Sequence, residues 1–320
     1  MTIRLICQRS LTIAIFSCAT NAFSSTTPIS TQELHGTTSP ECRINDSDPF
    51  EIGARAKSGQ NYGQCYQFDH RPVTILTEAE AQSLGLPPQI GSVLVANLSH
   101  SVEGKEDFFI ASIPIDHATS ANLVLSFFLP TPRPPLFLDP GHAMLRVFFS
   151  QDVAIYQQNL QSQQLVHTVR ELVLSMDSNI RFQFNPLLLA RVADGSLALV
   201  STIFTFDAKF RGNGENHKKP AEQWQLKMTA EQVSELVSRY IQGAETTAAS
   251  QTYSLNKANC ATEMLKIFDD MFKYSEDQLA KIAKIKNREW IPAQFPSALN
   301  ARGLLDPVAD RLPDVNTTQE

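Results

Sequence analysis

The stretch "PTPRPP" at 130 to 135 limits the possible folds of this chain more than any other. Proline has no backbone N–H for a ladder and its ring fixes φ, so this run cannot lie in a central strand or a helix interior. It predicts a boundary or a rigid connector. Before it, from Val73 to Pro130, come four strand-like runs, VTIL, GSVLVANLS, FFIASIPI and NLVLSFFL, separated by Pro, Gly and Asn. Thr77 to Leu84 reads as a short helix, with Thr77 as N-cap and Glu80 as its capping-box partner. After the prolines, strands are expected at His142 to Phe149, Ile180 to Phe184 and Leu197 to Phe206. Helices are expected at Gln157 to Met176, Met228 to Ile241 (N-cap Thr229, box partner Gln232) and Glu276 to Lys286. "RGNGENHKKP" at 211 to 220 reads as a polar loop. The expected fold class is α+β in two units: a small α+β or mainly β region over 41–130 and a second domain over 136–310. A disordered tail is expected over 311–320.

The N-terminus has the layout of a targeting segment. Arg4 and Arg9 precede a short apolar run from Ser10 to Ala19, and small residues follow at Thr20 to Ala22. That run is shorter than the roughly 20 residues a membrane helix needs. Residues 1–22 are therefore expected to be a removed secretory signal, and the Ser/Thr-rich 23–40 a flexible leader. No later stretch is apolar enough for a transmembrane anchor.

The chain has 320 residues, 42% hydrophobic and 19% charged, which suits a packed core. Its formal net charge is -6. Without Arg4 and Arg9 the 27 basic residues become 25 against 33 acids, a charge of -8. Nucleic acid is disfavoured as a partner, as is tight docking on anionic lipid. No Cys/His spacing of the zinc type occurs, so neither a metal nor another cofactor is expected. Oligomeric state leaves no mark in the sequence.

Cysteine parity narrows the chemistry. Cys7 and Cys18 would leave with the signal, and Cys42, Cys65 and Cys260 would remain. In an oxidising compartment an odd count leaves one thiol over. A Cys42–Cys65 disulfide would close a polar loop and leave Cys260 free; pairing of Cys260 with either of them, or an inert buried Cys260, are the alternatives.

Cys260 starts an amphipathic pattern. Ala261, Met264, Leu265, Phe268, Met271 and Phe272 share one face at helical period, and Asn259 suits the N-cap. A cysteine in a first helical turn sits where the dipole and unpaired N–H groups favour a thiolate and could stabilise an oxyanion. It is equally a common place for a small buried side chain. A thiolate nucleophile needs a base. His142 is the best placed candidate: it follows the turn signal "DPG" and opens "HAMLRVFF". Alternation puts His142, Met144, Arg146 and Phe148 on one strand face and Ala143, Leu145, Val147 and Phe149 on the other.

The blocks "GHAMLRV" (141 to 147), "EQWQLKMTAEQVSELV" (222 to 237), "YSLNKANCATEMLKIF" (253 to 268) and "FPSALNARGLL" (295 to 305) resemble, in this order, segments of the Lnb N-terminal periplasmic domain family. The resemblance covers roughly 135 to 305. It implies a circularly permuted papain-like fold of the NlpC-P60 kind, with histidine ahead of cysteine. It implies Cys260 as nucleophile, His142 as base, and Asn259 and Arg146 in supporting positions. A third group should orient the histidine; Asp207 is the most placeable candidate, with His217 and Glu222 as competitors. The expected activity is that of an exported, periplasmic or secreted cysteine hydrolase or acyltransferase. It would work through an acyl-thioester on a lipid-linked or peptide substrate of the cell envelope. A cell-wall peptidase or amidase, or a non-catalytic binding protein on the same fold, are the alternatives.

Overall fold

The computed structural model describes residues 71–87, 91–127, 141–158, 164–180, 197–211, 221–247, 251–254 and 257–315. They form an α+β fold in which ten strands make one sheet. In chain order the strands are β1 (Thr74–Ile75), β2 (Val93–Val102), β3 (Lys105–Ile113), β4 (Ala118–Phe127), β5 (Gly141–Gln157), β6 (Leu165–Ile180), β7 (Leu197–Thr205), β8 (Ala221–Gln225), β9 (Gln251–Thr252) and β10 (Arg311–Leu312). The helices are α1 (Glu78–Ser83), α2 (Phe206–Phe210), α3 (Ala230–Thr247), α4 (Cys260–Met271), α5 (Glu276–Ile285) and α6 (Phe295–Ala301).

Five strands close on themselves. β2 pairs with β3, β3 with β5, β5 with β6, β6 with β7, and β7 returns to β2 in parallel through Leu98↔Ile203 and Ser99↔Phe204. β5 is long enough to serve two neighbours. Its second half pairs with β3, and its first half pairs with β4, which carries β8 and then β10. The β5–β6 register shifts between Phe148 and Val153, at the junction of the two halves. A bulge of this kind bends a strand and lets it change company.

Strand alternation sorts the side chains into separate cores. Ala143, Leu145, Val147, Leu172 and Leu174 join Leu123 and Leu125 under α3, α4 and α6, which contribute Leu236, Tyr240, Met264, Phe268, Phe295 and Leu299. On the opposite face Val124, Met144, Val173 and Phe204 pack with Phe206, Ala208 and Phe210 of α2 and with Val315. A third cluster gathers Leu76, Ala81, Leu94, Ile110 and Tyr156 around α1. The expected faces of β5 are thus found, as are the capping boxes at Thr77/Glu80 and Thr229/Gln232.

Three expectations are corrected. The proline run does not divide the fold: β2, β3 and β4 from before it hydrogen bond in the same sheet as β5 to β8 from after it, and the main core draws on both sides. The helix expected at Gln157 to Met176 is largely β6. The residues of β6 point to two apolar cores, so its hydrophobics do not alternate cleanly with polar residues. The tail expected over 311–320 begins as strand β10, and Val315 is fully buried. The signal segment, the leader, Cys42 and Cys65, the loop from 212 to 220 and residues 181–184 lie outside the described residues. No helix among the described residues is long and apolar enough to cross a membrane.

Candidate active site

The pairing of β5, β6 and β7 assembles a polar cluster on one sheet face. Met144 stands opposite Ser175, and Ser175 opposite Thr202. The same register carried two residues further sets His142 across from Asp177. His142 Nε2 lies 3.0 Å from Asp177 Oδ1 and 2.7 Å from Ser175 Oγ. Asp177 is deeply buried, at 5% side-chain exposure, and His142 is 13% exposed. The other carboxylate oxygen, Oδ2, accepts a short hydrogen bond from the Thr202 hydroxyl. Lys209 of α2, wholly buried, brings its Nζ to 3.4 Å from Asp177 Oδ1 and stacks 3.9 Å from the Phe204 ring centroid.

Cys260 comes to this cluster from the first turn of α4. Asn259 has extended backbone (φ -137°, ψ -178°) and its side chain accepts the Ala261 and Thr262 N–H groups at 2.9 and 3.0 Å. Thr262 returns the bond by accepting the Asn259 N–H, completing a capping box. Asn259 Nδ2 donates to the Trp290 carbonyl at 2.9 Å, which ties the helix start to the chain ahead of α6. Cys260 is a free thiol and is 1% exposed.

Cys260 lies close enough to bias the charge of His142. Burial favours the neutral imidazole, but the Cys260 sulfur as thiolate and the Asp177 carboxylate outweigh it and push the His142 pKa up to about 10. Two tyrosines complete the surroundings. The Tyr240 hydroxyl sits 2.5 Å from the Ser175 carbonyl oxygen and 2.8 Å from that of Thr202, and accepts the Thr202 N–H at 3.0 Å. Burial, and then Asp177, raise its pKa well above the usual value. Tyr253 is pushed upward by burial, then by Cys260 and Asp177.

The structure brings Cys260, Asn259 and His142 together and leaves the other expected residues apart. Asp207 does not face His142: it pairs with Arg211 at 2.8 Å on the surface, and the carboxylate beside His142 is that of Asp177. Glu222 pairs with Arg311 at 3.0 Å, and His217 lies outside the described residues. Arg146 braces the same sheet face four residues from His142. It binds Glu171 at 2.6 Å and Gln223 at 3.3 Å, with its guanidinium 4.0 Å from the Phe206 ring centroid. Sequence reasoning missed Asp177, Ser175, Thr202, Lys209 and Tyr240. Reading 165 to 180 as a strand antiparallel to 141 to 149 would have placed Ser175 and Asp177 on the histidine's face. No protein-family model matches this chain, and no curated protein and no solved structure matches it either.

Proposed function

We propose that this protein is a thiol acyl-transfer enzyme in which Cys260 is the nucleophile, His142 the base and Asp177 the group that orients it. One observation carries the reading. A single imidazole is held through Nε2 by a buried carboxylate and also feels the charge of a free cysteine at a helix start. That is the nucleophile–base–orienter arrangement covalent catalysis requires.

His142 takes the proton from Cys260 Sγ. The thiolate attacks an acyl carbonyl, and the C–S bond forms as the C=O electrons move to oxygen. Asn259 Oδ1 already holds the Ala261 and Thr262 amides, so the Cys260 N–H is the helix-terminal donor left for that oxyanion. The intermediate collapses, the C–O or C–N bond breaks, and His142 returns its proton to the departing alcohol or amine. Water or an acceptor amine then attacks the thioester, gives its proton to His142 and releases the Cys260 thiolate.

The histidine-before-cysteine order, on a strand and a helix N-terminus respectively, supports the likeness to the Lnb N-terminal periplasmic domain family and to a permuted papain-like fold. The apolar run at 10 to 19 supports an exported protein acting on an envelope ester or amide. The burial of Cys260 favours a second reading, a binding protein whose thiol is inert.

Acyl trapping separates these readings. The protein is incubated with nitrophenyl esters of short and long fatty acids and with peptide amides, then weighed intact. A mass gain equal to the acyl group, located on Cys260 and lost in Cys260→Ser, is expected. The probe that loads fastest distinguishes lipid from peptide substrates. No adduct from any probe leaves the binding-protein reading standing.

A further inference from the structure

Lys209 is a charged group in the middle of the fold that the catalytic reading leaves without a role. Its side chain is 0% exposed, its Nζ lies 3.4 Å from Asp177 Oδ1, and it stacks on Phe204. Isolated buried ammonium groups are costly and tend to give up their proton. Here the partner is the same carboxylate oxygen that holds His142 at 3.0 Å. Short apolar helix α2 carries Lys209, and its Phe206, Ala208 and Phe210 are core residues, so the ammonium is placed by packing.

We infer that Lys209 is a positioning residue whose ammonium offsets the Asp177 charge, so that the proton on His142 is the one released by Cys260. The inference rests on the thiol-enzyme reading and on a count of charge in a dry site. The groups facing His142 are Asp177 and Ser175 from β6 and Cys260 from α4; Lys209, Tyr240 and Tyr253 reach the same carboxylate or sulfur. With Lys209 charged, Lys⁺ and Asp⁻ cancel. The dyad then carries no net charge as thiolate and imidazolium, the form in which His142 is protonated. Without Lys209, a neutral site is reached as Asp⁻, imidazolium and thiol. His142 would then be protonated for the sake of Asp177 and unable to take the Cys260 proton. Thr202 holds only the second carboxylate oxygen and brings no charge.

The test reads protonation rather than turnover. In the unaltered protein the Lys209 side-chain nitrogen gives the NMR signal of an ammonium at pH 7; a neutral amine signal there overturns the proposal, whatever the variants do. In Lys209→Met the alkylation of Cys260 at pH 7 slows about tenfold or more, because the thiolate is the species that reacts and His142 no longer takes its proton. The thiolate ultraviolet absorbance falls while the His142 ring stays protonated. Lys209→Arg restores the rate. The double variant Lys209→Met, Asp177→Asn, neutral again, reacts faster than Lys209→Met. A folded Lys209→Met protein that alkylates at the unaltered rate, or a double variant no faster than it, overturns the proposal. Loss of reactivity in His142→Ala with none in Lys209→Met refutes only the role of Lys209; insensitivity to both refutes the enzyme reading.

Discussion

At the scale of single residues, His142 concentrates the argument. An imidazole buried on its own would be neutral, because burial disfavours its charge. Cys260 and Asp177 reverse that preference and push its pKa up to about 10. The consequence for stability has a definite sign. A histidine whose folded pKa exceeds its ordinary value near 6.5 stabilises the fold fully below that value, and the contribution is lost as pH rises through about 10. With the ring nitrogens isotopically labelled, NMR should show His142 protonated at pH 8 and releasing its proton near 10. In Asp177→Asn the midpoint should fall, and the loss of stability between pH 7 and 10 should shrink with it. A ring already neutral at pH 8 contradicts the account. Residue by residue, Cys260, Asn259 and His142 were legible in the sequence because each carries a local signal: a helical apolar face, an N-cap, a turn before an alternating strand. Asp177 and Lys209 carry none, since their meaning comes from partners 35 and 67 residues from His142.

Among the elements, α3 and α4 hold the site from one side of the sheet. The Tyr240 hydroxyl bonds to main-chain atoms of Ser175, two residues before Asp177, and of Thr202, the hydroxyl partner of Asp177. Tyr240→Phe would leave buried backbone groups without that partner and should cost about 1–3 kcal/mol of stability. Asn259→Ala removes an N-cap, worth about 1 kcal/mol, and also the link to Trp290. Denaturant titration of both variants checks these costs; a Tyr240→Phe midpoint equal to that of the parent would refute the role given to the hydroxyl. The capped helices were the most readable elements, because Thr77, Thr229 and Asn259 each announce a start within four residues of sequence. β6 was the least readable. With Leu172 and Leu174 in one core and Val173 in the other, burial on both faces erases the period of two that marks a strand. That one misreading hid Ser175 and Asp177 and led to Asp207, which follows the more legible strand β7 and turns outward to Arg211.

For the whole molecule, closure of β2, β3, β5, β6 and β7 into a ring explains why the proline run at 130 to 135 does not divide the fold. Prolines bar a segment from a ladder, but they do not prevent the strands before and after it from pairing across the gap. A local pattern cannot reveal this, since the β2–β7 contact joins residues about a hundred positions apart in a parallel pair. The closed sheet, with α4 docked on it, is what brings residues 142, 177, 209 and 260 to one place and fixes their separations. On the proposed reading, Cys260 and His142 act as one unit under the control of Asp177. The rate of Cys260 alkylation by iodoacetamide at pH 7, followed by intact mass in the parent protein, His142→Ala and Asp177→Asn, tests it most directly. The account predicts that the parent reacts at least about tenfold faster than either variant, since an unassisted thiol is only a few per cent thiolate at that pH. Equal rates in all three folded proteins would contradict it.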